Sequence, residues 1–349
     1  MNRRPSPRLF SAVILSLVVL IVAVALTSAS LASDKQVHTN TASRVPKTTV
    51  RYLDTAGVLN YVQLAKALGY LPDITIDNVG TVTSGPVALQ DLATGQIDYV
   101  SIAFTGAIEN LIAKGSKLKA VLSVYGSDSS SYNALISRKG ENLTTPKSWI
   151  GKKIAVNALG ATDQALIDTW LQRGGLTPAQ IAQVTLVPVT PLDATDAVLH
   201  GQVDGSLEGG PLLNEALKTG QVQIDFKDTS FLGDYNSNDA AMTSAWLQTH
   251  PAAAKEFIGG VAKAIHFTQT HPAKAALARL VPWLKANGLS EDANALQYWT
   301  TNGVVTPGGY IKTSYFSLWI PWLRSQHLIT GNPNVKTMFT NAYNPYAPK

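Results

Sequence analysis

The chain contains no cysteine, so it has no disulfide, no thiolate metal ligand and no N-terminal cysteine that a lipid could modify. Glycine-rich phosphate motifs are missing too: neither a P-loop nor a dinucleotide-binding fingerprint occurs, and no G-x-S-x-G nucleophile elbow is found. The six histidines are scattered. His266 and His271 fall off a common helical face, and Pro272 follows the second, so they make a poor metal pair. No catalytic residue, no metal site and no cofactor is expected. Charge is also scarce, at 15% of residues against 45% hydrophobic, which describes a folded chain and not a disordered one.

What is present begins with a leader. Arg3, Arg4 and Arg8 precede an apolar run from Leu9 to Leu26 that only Ser11 and Ser16 interrupt, and small residues follow. This is the layout of a secretory signal peptide over residues 1–32, with cleavage after Ala32. The competing reading is an uncleaved anchor, since about 18 apolar residues can span a bilayer. Pro5 after Arg3-Arg4 argues against a twin-arginine signal. Loss of the leader removes three arginines and lowers the net charge from +5 to +2, which gives no case for a nucleic-acid partner. Residues 33–47 are polar and rich in Ser and Thr, a lead-in to the folded part.

The folded part carries an internal echo. Asp91 to Gly115 reads DLATGQIDYVSIAFTGAIENLIAKG, and Asp196 to Gly220 reads DAVLHGQVDGSLEGGPLLNEALKTG. In each copy a periodic helix ends at Gly-Gln, an Asp opens a short strand, a glycine turn follows, and a second helix closes on glycine. Gly95 and Gly201 suit the left-handed position past a helix end. Strands alternating with helices imply mostly parallel sheets covered on both faces. The two copies imply two similar α/β halves, in which Gln96, Asp98, Gln202 and Asp204 serve packing.

Read in order, strands are expected at Thr48–Leu53, Ile74–Val82, Tyr99–Phe104 and Leu118–Tyr125, with helices between. Tyr132–Ser137 begins a crossing to the second half, whose strands fall at Lys152–Val156, Val184–Val189 and Gly205–Leu207. Thr177-Pro178-Ala179-Gln180 is a capping box. From Val222 the chain reads VQIDFKD, a polar loop then runs to Asn238, Asp239–Thr243 returns as a strand, and the rest is helical: Ala245–Thr270 with breaks at Pro251 and His271-Pro272, Ala273–Ala286, Glu291–Thr300 and Tyr315–Gln326. Tyr315, Trp319 and Trp322 form an aromatic stripe expected in core or interdomain packing. The predicted architecture has lobe 1 over residues 48–132 and 238–349, lobe 2 over 133–237, a hinge between them and a ligand cleft. Ligands in such sheets bind beyond the strands' carboxyl ends.

The LAKALGYL segment at Leu64–Leu71, the SGP turn at Ser84–Pro86, LATGQIDYVSIA, and W-x-GKKIAV-x-x-x-GATDQ at Trp149–Gln164 resemble solute-binding proteins of ABC importers. The branch is the one serving aliphatic sulfonates, taurine, nitrate and thiamin-pyrimidine precursors, with the two-lobed type 2 periplasmic binding protein fold. The resemblance covers about residues 48–270. It implies a non-enzymatic, monomeric periplasmic protein that closes over a small polar solute, a sulfonate, a taurine-like or a nitrogen-containing compound, and delivers it to a membrane permease with its ATPase. A sensing subunit for a membrane receptor and a pyrimidine-synthase-like enzyme are the rival implications. The implied ligand loops fall on Asp54, Thr55, Ser84, Gly85, Thr105, Gly106, Gly160, Ala161, Thr162 and Glu208. Ala161 stands where the family commonly has serine, and Glu208 where it often has an aromatic residue, both of which weaken a plain alkanesulfonate assignment. A carboxylate at Glu208, with Asp54, suits a ligand bearing an amine or several N–H donors.

Overall fold

The computed structural model describes residues 47–349 apart from positions 56, 57 and 83. The expected leader, and all of the lead-in but Lys47, lie outside the described residues, as do Ala56, Gly57 and Thr83 of the first two loops. Among the described residues no helix is long and apolar enough to cross a membrane.

From the start, β1 (Thr48–Thr55), α1 (Tyr61–Ala67), β2 (Ile74–Val82), α2 (Gly85–Ala93), β3 (Tyr99–Phe104), α3 (Thr105–Ala113) and β4 (Leu118–Ser127) alternate as the periodicities dictate. After them come β5 (Asn133–Arg138), β6 (Lys153–Val156), α4 (Thr162–Arg173), α5 (Pro178–Ile181), β7 (Thr185–Pro188), α6 (Pro191–Leu199), β8 (Gly205–Gly209), α7 (Gly210–Lys218) and β9 (Val222–Lys227). The chain returns through α8 (Thr229–Leu232) and β10 (Tyr235–Thr243). It ends in α9 (Ser244–Thr249), α10 (Pro251–Thr270), α11 (Ala273–Ala286), α12 (Ser290–Ala295), α13 (Thr313–Ser317) and α14 (Ile320–Ser325).

The strands form two five-stranded sheets, ordered β2-β1-β3-β10-β4 and β7-β6-β8-β5-β9. These orders are the same order written twice. In each sheet the first three strands are parallel, and one antiparallel strand lies between the third and the last. That inserted strand comes in each case from just beyond a crossing. The fold is that of the two-lobed periplasmic binding proteins.

The echoed aspartates explain the repeat. The backbone N–H of Asp98 donates to the Arg51 carbonyl at 2.9 Å, and the Arg51 N–H donates back to Asp98 Oδ2 at 2.9 Å. Asp204 does the same on Lys153, at 2.8 Å in both directions. Each Asp thus clamps the start of its strand to the neighbouring parallel strand. A basic side chain completes each clamp, Arg51 through Nε and Nη2 and Lys152 through Nζ. Gly95 and Gly201 take φ of 76° and 71° and let the preceding helix turn into the clamp. The packing role expected for these aspartates is therefore a specific register lock.

The two crossings meet at one buried carboxylate. Asp228 accepts from Ser127 Oγ at 2.6 Å, Asn133 Nδ2 at 2.7 Å and Tyr235 OH at 3.0 Å, and caps Thr229 at 2.7 Å. The end of β4, the start of β5 and the start of β10 are thereby held together.

Three expectations for the second part of the chain change. The helix expected over Glu291–Thr300 is the shorter α12 followed by a single 3-10 turn at Leu296–Tyr298. The polar loop before residue 238 is shorter, because α8 and the first residues of β10 occupy it. The helix expected over Tyr315–Gln326 is two helices, α13 and α14, with Trp319 at the joint. Pro321 causes the break: it has no N–H to donate and its ring crowds the carbonyl four residues back. Trp319 and Trp322 nevertheless pack as core. They join Phe104 of β3 in the apolar cluster around the second sheet, with Phe104 edge-on to both, and Trp322 Nε1 donates to Asp168 Oδ2 at 3.0 Å. The first sheet is covered by α1, α10 and α11, where Gly260 lets α10 approach the Tyr70 carbonyl that a Cβ would meet at 2.7 Å. Met338–Thr340 hydrogen-bonds to both sides of Ala120, covering that stretch of β4 at the sheet edge.

Candidate functional site

The carboxyl ends of β1, β3, β6 and β8 face one another across a cavity of about 150 Å³. A space of that size elsewhere admits one benzene-sized ring. Thr55, Ser84, Gly85, Ile102, Phe104 and Asn238 line it from the first sheet's side. Asn133, Asn157, Ala161, Thr162, Asp163, Leu207 and Glu208 line it from the second. Roomier hollows of about 610 and 500 Å³ take no residue from β1, β3 or β8.

Glycine and asparagine bring the walls close. A Cβ on Gly209 would lie 2.4 Å from Asn133 Oδ1 and 2.8 Å from the Tyr125 hydroxyl, so only glycine lets β8 pass under Tyr125. Gly85 is fixed by packing, since its Cβ would stand 2.9 Å from the Ala103 Cα. Across the cavity Asn238 Nδ2 donates to Thr162 Oγ1 at 3.2 Å, joining β10 of the first sheet to the start of α4.

Of the residues expected in the ligand loops, Thr55, Ser84, Gly85, Ala161, Thr162 and Glu208 line the cavity. The other four, Asp54, Thr105, Gly106 and Gly160, are not among its lining residues. Asp54 is 3% exposed, and its carboxylate accepts from Thr55 N–H at 2.8 Å, Asn60 Nδ2 at 2.9 Å and Gln63 Nε2 at 2.6 Å. That carboxylate is committed to holding α1 against β1, which leaves little for an amine. The Thr105 hydroxyl donates to Asp239 Oδ2 at 2.6 Å and the Ser237 carbonyl at 2.9 Å, Gly106 sits against the Phe104 ring, and the Gly160 N–H donates to Gln164 Oε1.

Tyr125, Asn133, Asn157, Asp163 and Asn238 line the cavity without having been anticipated. Asn133 opens β5 and pairs with Gly209 at the end of β8, and Asn238, the fourth residue of β10, pairs with Phe104 at the end of β3. A polar residue early in a strand that returns against the parallel direction is the signal that could have found them.

Two carboxyl groups dominate the electrostatics. Glu208 is 4% exposed, and burial pushes its carboxyl up to about 8, opposed by the Ser206 hydroxyl that donates to Oε1 at 2.6 Å and assisted by nearby Asp163. Burial raises Asp163 to about 6, offset by the Asn157 N–H donating to Oδ2 at 2.9 Å. Burial first, then the charge of Asp228, and after it Asp163 and Glu208, raise the Tyr125 hydroxyl. No lysine, arginine or histidine lines the cavity among the described residues. No group of three His, Asp or Glu side chains suited to a metal occurs among them either.

Helix starts supply the remaining polarity. Ser84 stands at the N-cap of α2 as expected but makes no capping bond with its side chain, and no acid lies in that helix's first turn. Ala161 and Gly209, at the N-caps of α4 and α7, have no side chain able to cap. Free N–H groups at such positions donate to oxygen atoms of a ligand.

The family model described as NMT1/THI5 like matches residues 61–275. The chain belongs to the NMT1/THI5-like family. Its structure is similar to the zinc-bound ligand-binding component of an ABC-type import system from Staphylococcus aureus, at 16% identity and a TM-score of 0.67 over 86% of this chain and 99% of that one. It is also similar to the periplasmic aliphatic sulphonate binding protein SsuA from Escherichia coli, at 18% identity and a TM-score of 0.63 over 86% and 94%. The desulfurization enzyme DSZB shares the fold at 14% identity and a TM-score of 0.57 over 85% and 97%. A search of curated proteins found no match. Within this NMT1/THI5-like chain the matched span begins at α1 and ends in α11, so it includes every strand but β1.

Proposed function

We propose that this chain is the extracytoplasmic solute-binding component of an ABC importer, exported behind residues 1–32. Residues 48–132 and 238–349 form one lobe and 133–237 the other. They close over a small polar solute and present it to a membrane permease driven by its ATPase. The observation that carries the reading is the cavity itself: it lies between two equivalent sheets, at strand ends, in a member of a family whose fold relatives include ABC binding components. Binding is favoured over catalysis by the lining, which among the described residues offers amides, hydroxyls and two carboxyl groups but no lysine or histidine. Closure shifts an open–closed equilibrium in proportion to the solute's preference for the closed form.

The test is a thermal-shift screen of the secreted protein against sulfonates, nitrate, amino acids, amines and nitrogen heterocycles. A solute at 100 times its dissociation constant raises stability by about 2.7 kcal/mol. A shift that Thr162→Ala weakens supports the reading, and indifference to the whole panel counts against it.

A further inference from the structure

Any change in the angle between the two sheets has to pass through two short stretches, residues 128–132 between β4 and β5 and residues 228–234 between β9 and β10. The first sheet anchors its ends of both. The Gly126 N–H donates to the Asn302 carbonyl at 2.9 Å, and Asn236 donates to Thr306 Oγ1 at 2.9 Å and accepts from the Val305 N–H at 2.8 Å. The second sheet does the same through the Asp228 N–H, which donates to the Asn133 carbonyl at 2.9 Å. With the ends fixed, rotation falls on the few residues between them.

One carboxyl oxygen spans that joint. Asp228 follows β9 directly, and its Oδ2 accepts from Ser127 Oγ at 2.6 Å and Tyr235 OH at 3.0 Å, the last residue of β4 and the first of β10. Both bonds therefore run from the first sheet to the end of the second. Asp228 is wholly buried, so rotation that parts these groups leaves them without partners. Asn133 aims the acceptor: its Nδ2 donates to the same Oδ2 at 2.7 Å and lies 3.2 Å from Ser127 Oγ. Asn133 also lines the cavity, where its Oδ1 lies beside Gly209. A single amide thus touches the cavity on one side and the joint on the other.

Resting on the two-lobed solute-binding reading above, we propose that Asp228 is the positioning residue of the hinge. Its bonds to Ser127 and Tyr235 hold the sheets at the angle that encloses the cavity and set how much of the protein is closed before a solute arrives. Asn133 couples the cavity wall to that balance. The two bonds are a bias and not a lock, since together they change such an equilibrium by about ten- to a hundredfold.

The experiment measures the lobes directly, without a solute. The chain has no cysteine, so Gln90→Cys in α2 and Asp196→Cys in α6 carry one nitroxide label each, and pulsed electron paramagnetic resonance on the full chain gives the distribution of distances between them. Tyr235→Phe, which removes one hydroxyl and little volume, is expected to raise the ratio of long to short distances about threefold, and Ser127→Ala with Tyr235→Phe about tenfold. Asn133→Leu should shift the ratio in the same direction. In an Asp228→Ala background, Tyr235→Phe should add less than about twofold, because its effect passes through the missing carboxyl. If Asp228→Ala does not fold, the Ser127→Ala, Tyr235→Phe double variant releases the same two bonds and decides alone. A distribution unchanged in that double variant overturns the assignment. A Tyr235→Phe shift that persists in full without Asp228 also overturns it, tracing the effect to the packing of Tyr235 on Trp319. No change in Asn133→Leu removes the coupling to the cavity wall. None of these failures touches the solute-binding reading, which stands or falls on its own screen.

Discussion

Aligned on their clamping aspartates, Asp98 and Asp204, the two halves place different residues at equivalent positions. Tyr99 of β3 corresponds to Gly205 of β8, and Ile102 to Glu208. The first difference concerns packing. Tyr99 fills its own half and meets the Phe257 ring of α10 edge-on at 4.9 Å, whereas Gly205 leaves room for Trp149, whose Cη2 a Cβ would approach to 2.4 Å. The second concerns the cavity, which both residues line: the same strand position presents a hydrocarbon on one wall and a carboxyl on the other. A repeat supplies the frame, and departures from the repeat mark where each half has been specialised.

The largest break in this comparison is expected from Tyr99→Ala. Removing a fully buried ring that contacts α10 should cost about 4 kcal/mol, read as a large drop in the denaturant midpoint. Gly205→Ala follows at about 2–3 kcal/mol, because the added methyl meets both Trp149 and, at 2.6 Å, the Ile136 carbonyl. Trp149→Leu in the same chain should recover part of that loss; no recovery would mean that the backbone contact alone sets the cost. The clamps come next. Asp98→Ala should cost about 2 kcal/mol and Asp204→Ala about 1, since Arg51 grips its Asp through both Nε and Nη2 while Lys152 offers a single ammonium. Equal losses would show that the backbone bonds dominate and the basic partners are incidental.

The smallest effect is expected from Glu109→Gln at acid pH, where the native carboxyl is protonated and resembles the amide, with the variant becoming the more stable of the two as pH rises. Glu109 is fully buried in α3, neither oxygen has a hydrogen-bond partner among the described residues, and burial, with Asp239 nearby, pushes its carboxyl up to about 9. The native state keeps that proton while the unfolded chain loses it near pH 4.5, so this group's contribution favours folding at low pH and declines as pH rises from there towards 9. The glutamine variant should show a flatter stability profile over that window. An unchanged slope would mean that Glu109 ionises normally. Glu208 acts in the same direction, between about 4.5 and its raised value of about 8.

What the sequence made legible was whatever depends on near neighbours. The strands at Ile74–Val82 and Tyr99–Phe104 and the helices at Pro191–Leu199 and Ala273–Ala286 have the expected bounds, because periodicity and punctuating glycine or proline act locally. The capping box at Thr177 is formed as read. Pro321 was an available signal against one continuous Tyr315–Gln326 helix, and the aromatic spacing outweighed it. The site was half legible. Loops after parallel strands are predictable, hence Thr55, Ser84 and Thr162 at the cavity. Glu208 stood out as a carboxylate where the resemblance leads one to expect an aromatic residue. Asn133, Asn238 and Tyr125 were hidden because their place depends on which strands pair, and that pairing spans about a hundred residues. Asp54 misled for the opposite reason: a strand-end acid looks available until Asn60 and Gln63, from the next helix, are seen to satisfy it.

The insertion of β10 between β3 and β4 also sets a timetable. The second sheet uses only residues 133–227, one uninterrupted stretch, while the first must wait for residues 235–243 before its middle position is filled. As the chain emerges amino end first, the half that appears earlier is the half that finishes later. Until then β3 and β4 each offer an open edge in the middle of an unfinished sheet. A chain cut short before β10 would carry that gap permanently, even though every residue of the first three helices and four strands were present.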